Sequence, residues 1–167
     1  MDVVELEIID SIAKMLRDIK TSNNYLSTVA EVNKEEKSVE DMRQFPAVNI
    51  VKGITEYSDP QFSESGKHTK TLNVVLDCYL QGKENKQTIL TKFLADLEIR
   101  FADDTIGGNT NFNQTATAYN LENKCLIVIF VNAVPFSVEG EKHWYGIELS
   151  MQVKFRQKRS DPTVLNP

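Results

Sequence analysis

The sequence predicts an α+β domain: a mostly antiparallel sheet of about four to six strands with two main helices packed on one face. Three observations carry this expectation. Thr71–Leu80 alternates, with Leu72, Val74, Leu76, Cys78 and Leu80 on one face and Asn73, Val75, Asp77 and Tyr79 on the other. That is the period of a strand with one buried face. After Gln81-Gly82-Lys83 the period turns helical, and Ile89, Leu90, Phe93, Leu94, Leu97 and Phe101 form one apolar stripe. Near the start, Ile8, Ile9, Ile12, Met15, Leu16 and Ile19 form a second stripe of the same kind. A strand followed at once by such a helix predicts a helix laid back on its own sheet.

Taken in order, Asp2 and Glu5 give a D-x-x-E start signal, with carboxylates at the positive end of the first helix. Thr21-Ser22-Asn23-Asn24 stops that helix near Lys20. Tyr25–Val32 is a strand candidate, and Asn33–Lys37 a charged, solvated loop. Ser38 and Asp41 suit a single helical turn through Arg43, which Pro46 keeps from extending. Phe45–Val51 then enters a strand reaching Tyr57, with Pro46 at its first position and Gly53 at a bulge. Ser58–Thr69 is polar and joins two antiparallel strands as a long hairpin arm. It reads either as a disordered tip or as a docking arm that orders on a partner.

Beyond the central helix, Asp103–Asn113 reads as loop, Thr115–Leu121 as a further strand candidate and Glu122-Asn123-Lys124 as a turn. Cys125–Val134 is continuously apolar, which predicts a strand covered on both faces, with Pro135 ending its regular pairing. After a turn over Ser137–Lys142, Trp144–Arg156 alternates again. Ile147, Leu149, Met151, Val153 and Phe155 are expected inward, and Glu148, Ser150, Gln152, Lys154 and Arg156 outward. Gln157–Pro167 shows no period and reads as a tail, either loose or laid on a neighbour. The 167 residues suit a single domain over 1–159, with 160–167 as the tail.

The search for chemistry finds no constellation. His68 lies in a polar loop, and His143 sits beside Trp144-Tyr145 in what reads as a surface aromatic cluster. Neither has the HxxxH or HxxE companion of a zinc site. Gly107-Gly108 runs into Asn109-Thr110-Asn111 rather than the GK[ST] of a phosphate loop. Asp103-Asp104 reads as solvated carboxylates without a third ligand, and no G-x-S-x-G elbow exposes a serine. Cys78 and Cys125, each inside an apolar run, read as free thiols, with a disulfide across neighbouring strands as the alternative.

The expectation is therefore no enzyme: catalytic, cofactor-binding and metal residues none, cofactors none. A net charge of −5 speaks against a nucleic-acid binder. No signal-peptide pattern opens the chain and no run approaches the ~18 apolar residues of a membrane span. A protein kept in a reducing cytoplasm, with no membrane partner, is expected. The one local charge bias is Lys154, Arg156, Lys158 and Arg159. It reads either as the polar face of an edge strand protected against aggregation or as a contact with an acidic neighbouring subunit.

The order of these motifs is itself informative. An amphipathic N-terminal helix leads to the Pro-containing strand entry FPAVNIV at Phe45–Val51, and then to a long polar hairpin loop. The alternating strand TLNVVLDCYLQG at Thr71–Gly82 follows, then a helix, and then two long strands at Cys125–Phe136 and Trp144–Gln157. This layout, covering Val3 to Arg159, resembles the tail terminator (tail completion) proteins of long-tailed bacteriophages.

The resemblance implies a structural virion protein at the head–tail junction, assembled in the bacterial host cytoplasm. It would form a homohexameric ring that caps the tail tube, ends its polymerisation and offers the head a joining surface. The partners implied are further copies of the chain, the tail tube protein, head-completion or connector proteins, and DNA passing through the lumen without specific binding. Such a ring closes through head-to-tail contacts. About 30 negative charges on six copies would repel phosphates and let DNA slide. The interface residues expected are Phe62, Lys67, His68 and Lys70, on or beside the hairpin arm, and Arg156, Lys158 and Arg159 near the C-terminus. The alternatives are another head–tail connector, a stopper or adaptor, and a small cytosolic protein-binding module.

Overall fold

The alternation in the central strand does what its period demands: Leu72, Val74, Leu76 and Cys78 are each fully buried. The intervening residues are half-exposed. The computed structural model describes residues 3–57, 67–102, 127–140, 142–158 and 161–165. Among these, Val4–Asp18 forms α1, Glu31–Asn33 β1, Ala47–Tyr57 β2 and Lys67–Gln81 β3. Lys86–Ala102 forms α2, and Ile127–Ser137, Trp144–Lys158 and Asp161–Leu165 form β4, β5 and β6. The sheet order is β1-β2-β3-β5-β4, with β6 paired to β5. Only the β1–β2 pair is parallel.

The longest pairing holds β3 against β5 without a break, from Lys67 opposite Lys158 to Gln81 opposite Trp144. Register therefore sets Leu72 beside Val153, Val74 beside Met151, Leu76 beside Leu149, Cys78 beside Ile147 and Leu80 beside Tyr145. All ten side chains are buried on the face that both helices cover. A one-residue slip would turn every one of them to the opposite face, so the buried set fixes the register. From α1 this core receives Ile8, Ile12 and Leu16, and from α2 Phe93, Leu97 and Phe101. Burying each such side chain contributes roughly 1.5–3 kcal/mol. Ile89, at the start of the α2 stripe, stays 37% exposed.

Polar ties hold the helices to each other and to their connections. Arg100 donates to Asp18 at 2.9 Å, joining α2 to the end of α1. Asp96, buried in α2, accepts from the Leu26 backbone N–H at 2.9 Å and so anchors the segment between α1 and β1.

Several expectations are corrected. The residue capping α1 is Val3, with no side-chain hydrogen bond, and Asp2 of the expected start signal lies outside the described residues. Glu5 and Glu7 still stand in the first turn, where the dipole favours them. Of Tyr25–Val32 only Glu31 and Val32 enter a strand, the short β1; the residues before it are held instead by single bonds, Leu26 N–H to Asp96, Val29 N–H to the Ile19 carbonyl and Ala30 N–H to the Pro46 carbonyl. The turn at Val39–Asp41 is a single 3-10 turn. The hairpin arm ends earlier than expected, since Lys67, His68 and Thr69 are already strand. As expected, β2 runs to Tyr57 and shifts register between Lys52 and Thr55, around Gly53.

The apolar run Cys125–Val134 is not a strand covered on both faces. β4 is the edge of the main path, and Val131 and Val134 are exposed. Pro135 does not end the pairing, for β4 continues to Ser137 with Pro135 opposite Ile147. An edge position tolerates it because a missing N–H can face solvent there. Trp144 and Tyr145 are buried, not a surface cluster. β5 is an interior strand, paired with β3 on one side and β4 on the other, so protection of an edge does not explain its basic residues. Residues 161–165 of the expected tail fold back on β5 as β6. Asp103–Asn113, Thr115–Leu121, the Glu122-Asn123-Lys124 turn and Cys125 lie outside the described residues.

Candidate interaction surface

Both helices lie on one side of the sheet, so the other side is the larger open feature among the described residues. Its central rows are the odd residues of β3 and the even residues of β5. Register divides this face into zones along the strand direction. At one end Tyr79 and Phe136 meet edge-on, with ring centroids 5.2 Å apart, across Gly146 of the strand between them. A Cβ at residue 146 would stand 2.6 Å from the Phe136 ring and 1.9 Å from the Cys78 carbonyl oxygen, so only glycine fits.

Next along, Asp77 faces Glu148 directly across the β3–β5 ladder. A third carboxylate, Glu36, adds its field from the loop after β1. That loop is held by the fully buried Asn49, whose Nδ2 donates to the Lys37 carbonyl at 2.8 Å and whose Oδ1 accepts from Asn33 at 3.1 Å. Burial, then Glu148, then Glu36 push the Asp77 carboxyl above its ordinary range. Like charges directly opposite on a sheet destabilise it.

The middle is polar. Gln152 donates to Asn73 at 3.1 Å, and Asn73 donates to the Ile54 carbonyl at 3.0 Å and to the Glu56 carboxylate at 3.4 Å. The far end is basic. Lys154 stands opposite Thr71, Arg156 opposite Thr69 and Lys158 opposite Lys67. Neither Lys154 nor Arg156 pairs with a carboxylate among the described residues. From Glu148 to Lys154 the strand rises about 20 Å.

The residues expected at an interface divide accordingly. The ladder brings Lys67, Arg156 and Lys158 into one zone, while His68 is opposite Gln157, one step out of that row. Lys70 belongs to the helix-covered face: its Nζ is 3.9 Å from Glu5 and 4.9 Å above the Tyr57 ring. Glu5 also pairs with Lys52 and accepts from Thr55 at 3.3 Å, so Lys70 helps fasten the start of α1 to the hairpin. Phe62 and Arg159 lie outside the described residues.

Sequence reasoning set Asp77 and Glu148 on outward faces of their own strands but had no means of joining them, because β3 and β5 are not neighbours in sequence. The signal that could have raised the question is an acidic residue at the centre of each of two well-alternating strands.

Other features offer less. An open depression of about 540 Å³ is lined by Arg17, Lys34, Glu35, Glu36 and Lys37 with Val32 and Asn33, charges of both signs that converge on no point. Among the described residues no group of three His, Cys, Asp or Glu is placed to hold a metal ion, and no helix is long and apolar enough to cross a membrane. Cys78 is a free, fully buried thiol, and burial pushes its pKa up, with Asp77 adding to the effect. No protein-family model and no curated protein matches the chain.

Proposed function

We propose that this chain is a structural subunit of a bacteriophage tail: a terminator that assembles as a homohexameric ring on the end of the tail tube. It halts tube growth and presents the surface to which the head joins. The reading is supported by the order of elements, an amphipathic helix, a Pro46-led strand, a hairpin into β3, a helix on the sheet and two long strands. The observation that carries it is the open sheet face, with Asp77 and Glu148 toward one end and Lys154 and Arg156 toward the other. Its work would be steric: one ring face complementary to the tube end, and another that does not template more tube protein.

The test is to polymerise tail tube protein in the presence of the purified chain and to image the products by negative stain. The reading expects rings at tube ends and shorter tubes as the chain is added. Tubes of unchanged length with bare ends would sink it. Binding to DNA-filled heads instead of tube ends would make the chain a stopper or adaptor.

A further inference from the structure

The main sheet has a free edge at each margin. β4 pairs with β5 alone, and β1 covers β2 only over Ala47–Asn49, so from Ile50 onward the outer side of β2 is open among the described residues. The register shows that these two edges match each other. One row crosses the sheet through Thr55, Leu72, Val153 and Val128, and another through Ile50, Leu76, Leu149 and Ala133. Between those rows the inner strands each take five residues, Leu72–Leu76 on β3 and Leu149–Val153 on β5. The outer strands each take six, Ile50–Thr55 on β2 and Val128–Ala133 on β4, because each carries one bulge there. A bulge twists an edge away and guards it against a flat strand. An edge with the same extra residue at the same level still fits, six residues against six. β2 and β4 also run in opposite directions, since three antiparallel pairings separate them.

We infer that copies of this chain join edge to edge, Val128–Ala133 of β4 in one copy forming an antiparallel ladder with Ile50–Thr55 of β2 in the next. Val128 then stands opposite Thr55 and Ala133 opposite Ile50, as they do across the single sheet. Ile129 meets Ile54, Phe130 meets Gly53 and Val131 meets Lys52. In the single chain Ile54 is 76% exposed and Val131 56% exposed, so the contact removes apolar surface from water. The backbone bonds of the new ladder supply the attraction, and the cross-strand side-chain pairs set its register. Each copy offers a different edge to each neighbour. Such a contact is head-to-tail and closes into a ring where the rotation permits. This assignment rests on the reading of the chain as a ring subunit. It names the surface through which the copies meet, and it leaves the open sheet face to the tube and the head.

The experiment closes one edge at a time and follows the full chain by sedimentation velocity. Val131→Lys sets a second cation opposite Lys52 and closes the β4 edge. Ile54→Lys sets a charge against Ile129 and closes the β2 edge. Both positions are exposed, and circular dichroism and thermal melting check that each variant folds; where one melts lower than the wild type, Asn132→Lys or Ile54→Asn takes its place. The wild type is expected to gain mass with concentration. Each variant alone is expected to sediment as the single chain, because every contact needs one edge of each kind. Their equimolar mixture should form pairs of twice the single-chain mass and nothing larger, since one sound β4 edge meets one sound β2 edge and the other two are closed. Either variant pairing with itself would mean that like edges meet across a two-fold axis, and would overturn the assignment. Retention of wild-type mass by both variants would overturn it and leave the ring reading standing. So would a mixture that stays dissociated while the wild type assembles. A wild type that remains a single chain at every concentration would also overturn it, and rings imaged at tube ends would then uphold the ring reading by themselves.

Discussion

The two faces of the sheet follow opposite rules. On the helix-covered face each position of β3 and β5 from Leu72 to Leu80 and from Tyr145 to Phe155 is apolar and buried, and the pairings reinforce one another. On the open face the same two strands set carboxylate against carboxylate, Asp77 opposite Glu148. One face is consistent at every level, which is how a sequence specifies a fold. The other keeps local conflicts, and such conflicts in a folded protein tend to sit where function is performed. The fold is thus built on one side, and contact with partners is proposed for the other.

Substitutions can break or sharpen this contrast. The largest effect belongs to the covered face. Phe93→Ala removes a fully buried ring from α2 and is expected to cost about 3–5 kcal/mol in urea denaturation, whereas Val134→Ala on the open face should stay within about 0.5 kcal/mol. Gly146→Ala tests the one position where the open face is as unforgiving as the core. The added methyl meets the Cys78 carbonyl and the Phe136 ring, and a loss of about 2–3 kcal/mol is expected. A neutral result there would mean that β5 can move away from β3 without penalty.

A fourth substitution probes the anchor of the β1–β2 loop. Burial opposes the charge on Glu31, but the Lys37 ammonium and the Arg43 and Gln44 backbone N–H groups, with Asn33, outweigh it and lower the pKa to about 2. A depressed carboxyl contributes stability that is present above its unfolded pKa and is lost as the pH falls toward about 2. Glu31→Gln should therefore cost about 2 kcal/mol at neutral pH and progressively less in acid, as followed by denaturation at several pH values. Asp77 is expected to behave in the opposite sense. Its carboxyl is raised by burial, by Glu148 from β5 and by Glu36 from the β1–β2 loop. The charged form therefore weakens the single chain, and Asp77→Asn should gain a few tenths of a kcal/mol at neutral pH. The gain should fade as the pH falls through the raised pKa, where the wild-type group is protonated as well.

Much of the covered face could be read from the chain alone. The period of Leu72–Leu80 and of Ile147–Phe155, and the stripe Phe93, Leu97 and Phe101, are local signals of burial, and the structure buries each of them. What could not be read was adjacency. An apolar run such as Cys125–Val134 looks the same whether it lies in the middle of a sheet or at its margin, and β4 lies at the margin. In the same way, a row of bases on β5 looks like edge protection until the strand proves to lie between β3 and β4. The open-face pairing of Asp77 with Glu148 is a product of β4 and β5 folding back so that β5 enters beside β3. No local pattern records that choice. Lys70 shows the same limit on a smaller scale, since its partner Glu5 comes from the far end of the chain.

The most direct measurement is to compare the wild type with Asp77→Asn/Glu148→Gln in two readouts on the same samples, unfolding midpoint at high salt and sedimenting mass at low salt. Neutralising the acidic pair should leave the midpoint equal or higher with the sedimenting mass no greater than that of the wild type. A lowered midpoint with the mass unchanged would contradict the division of labour between the two faces.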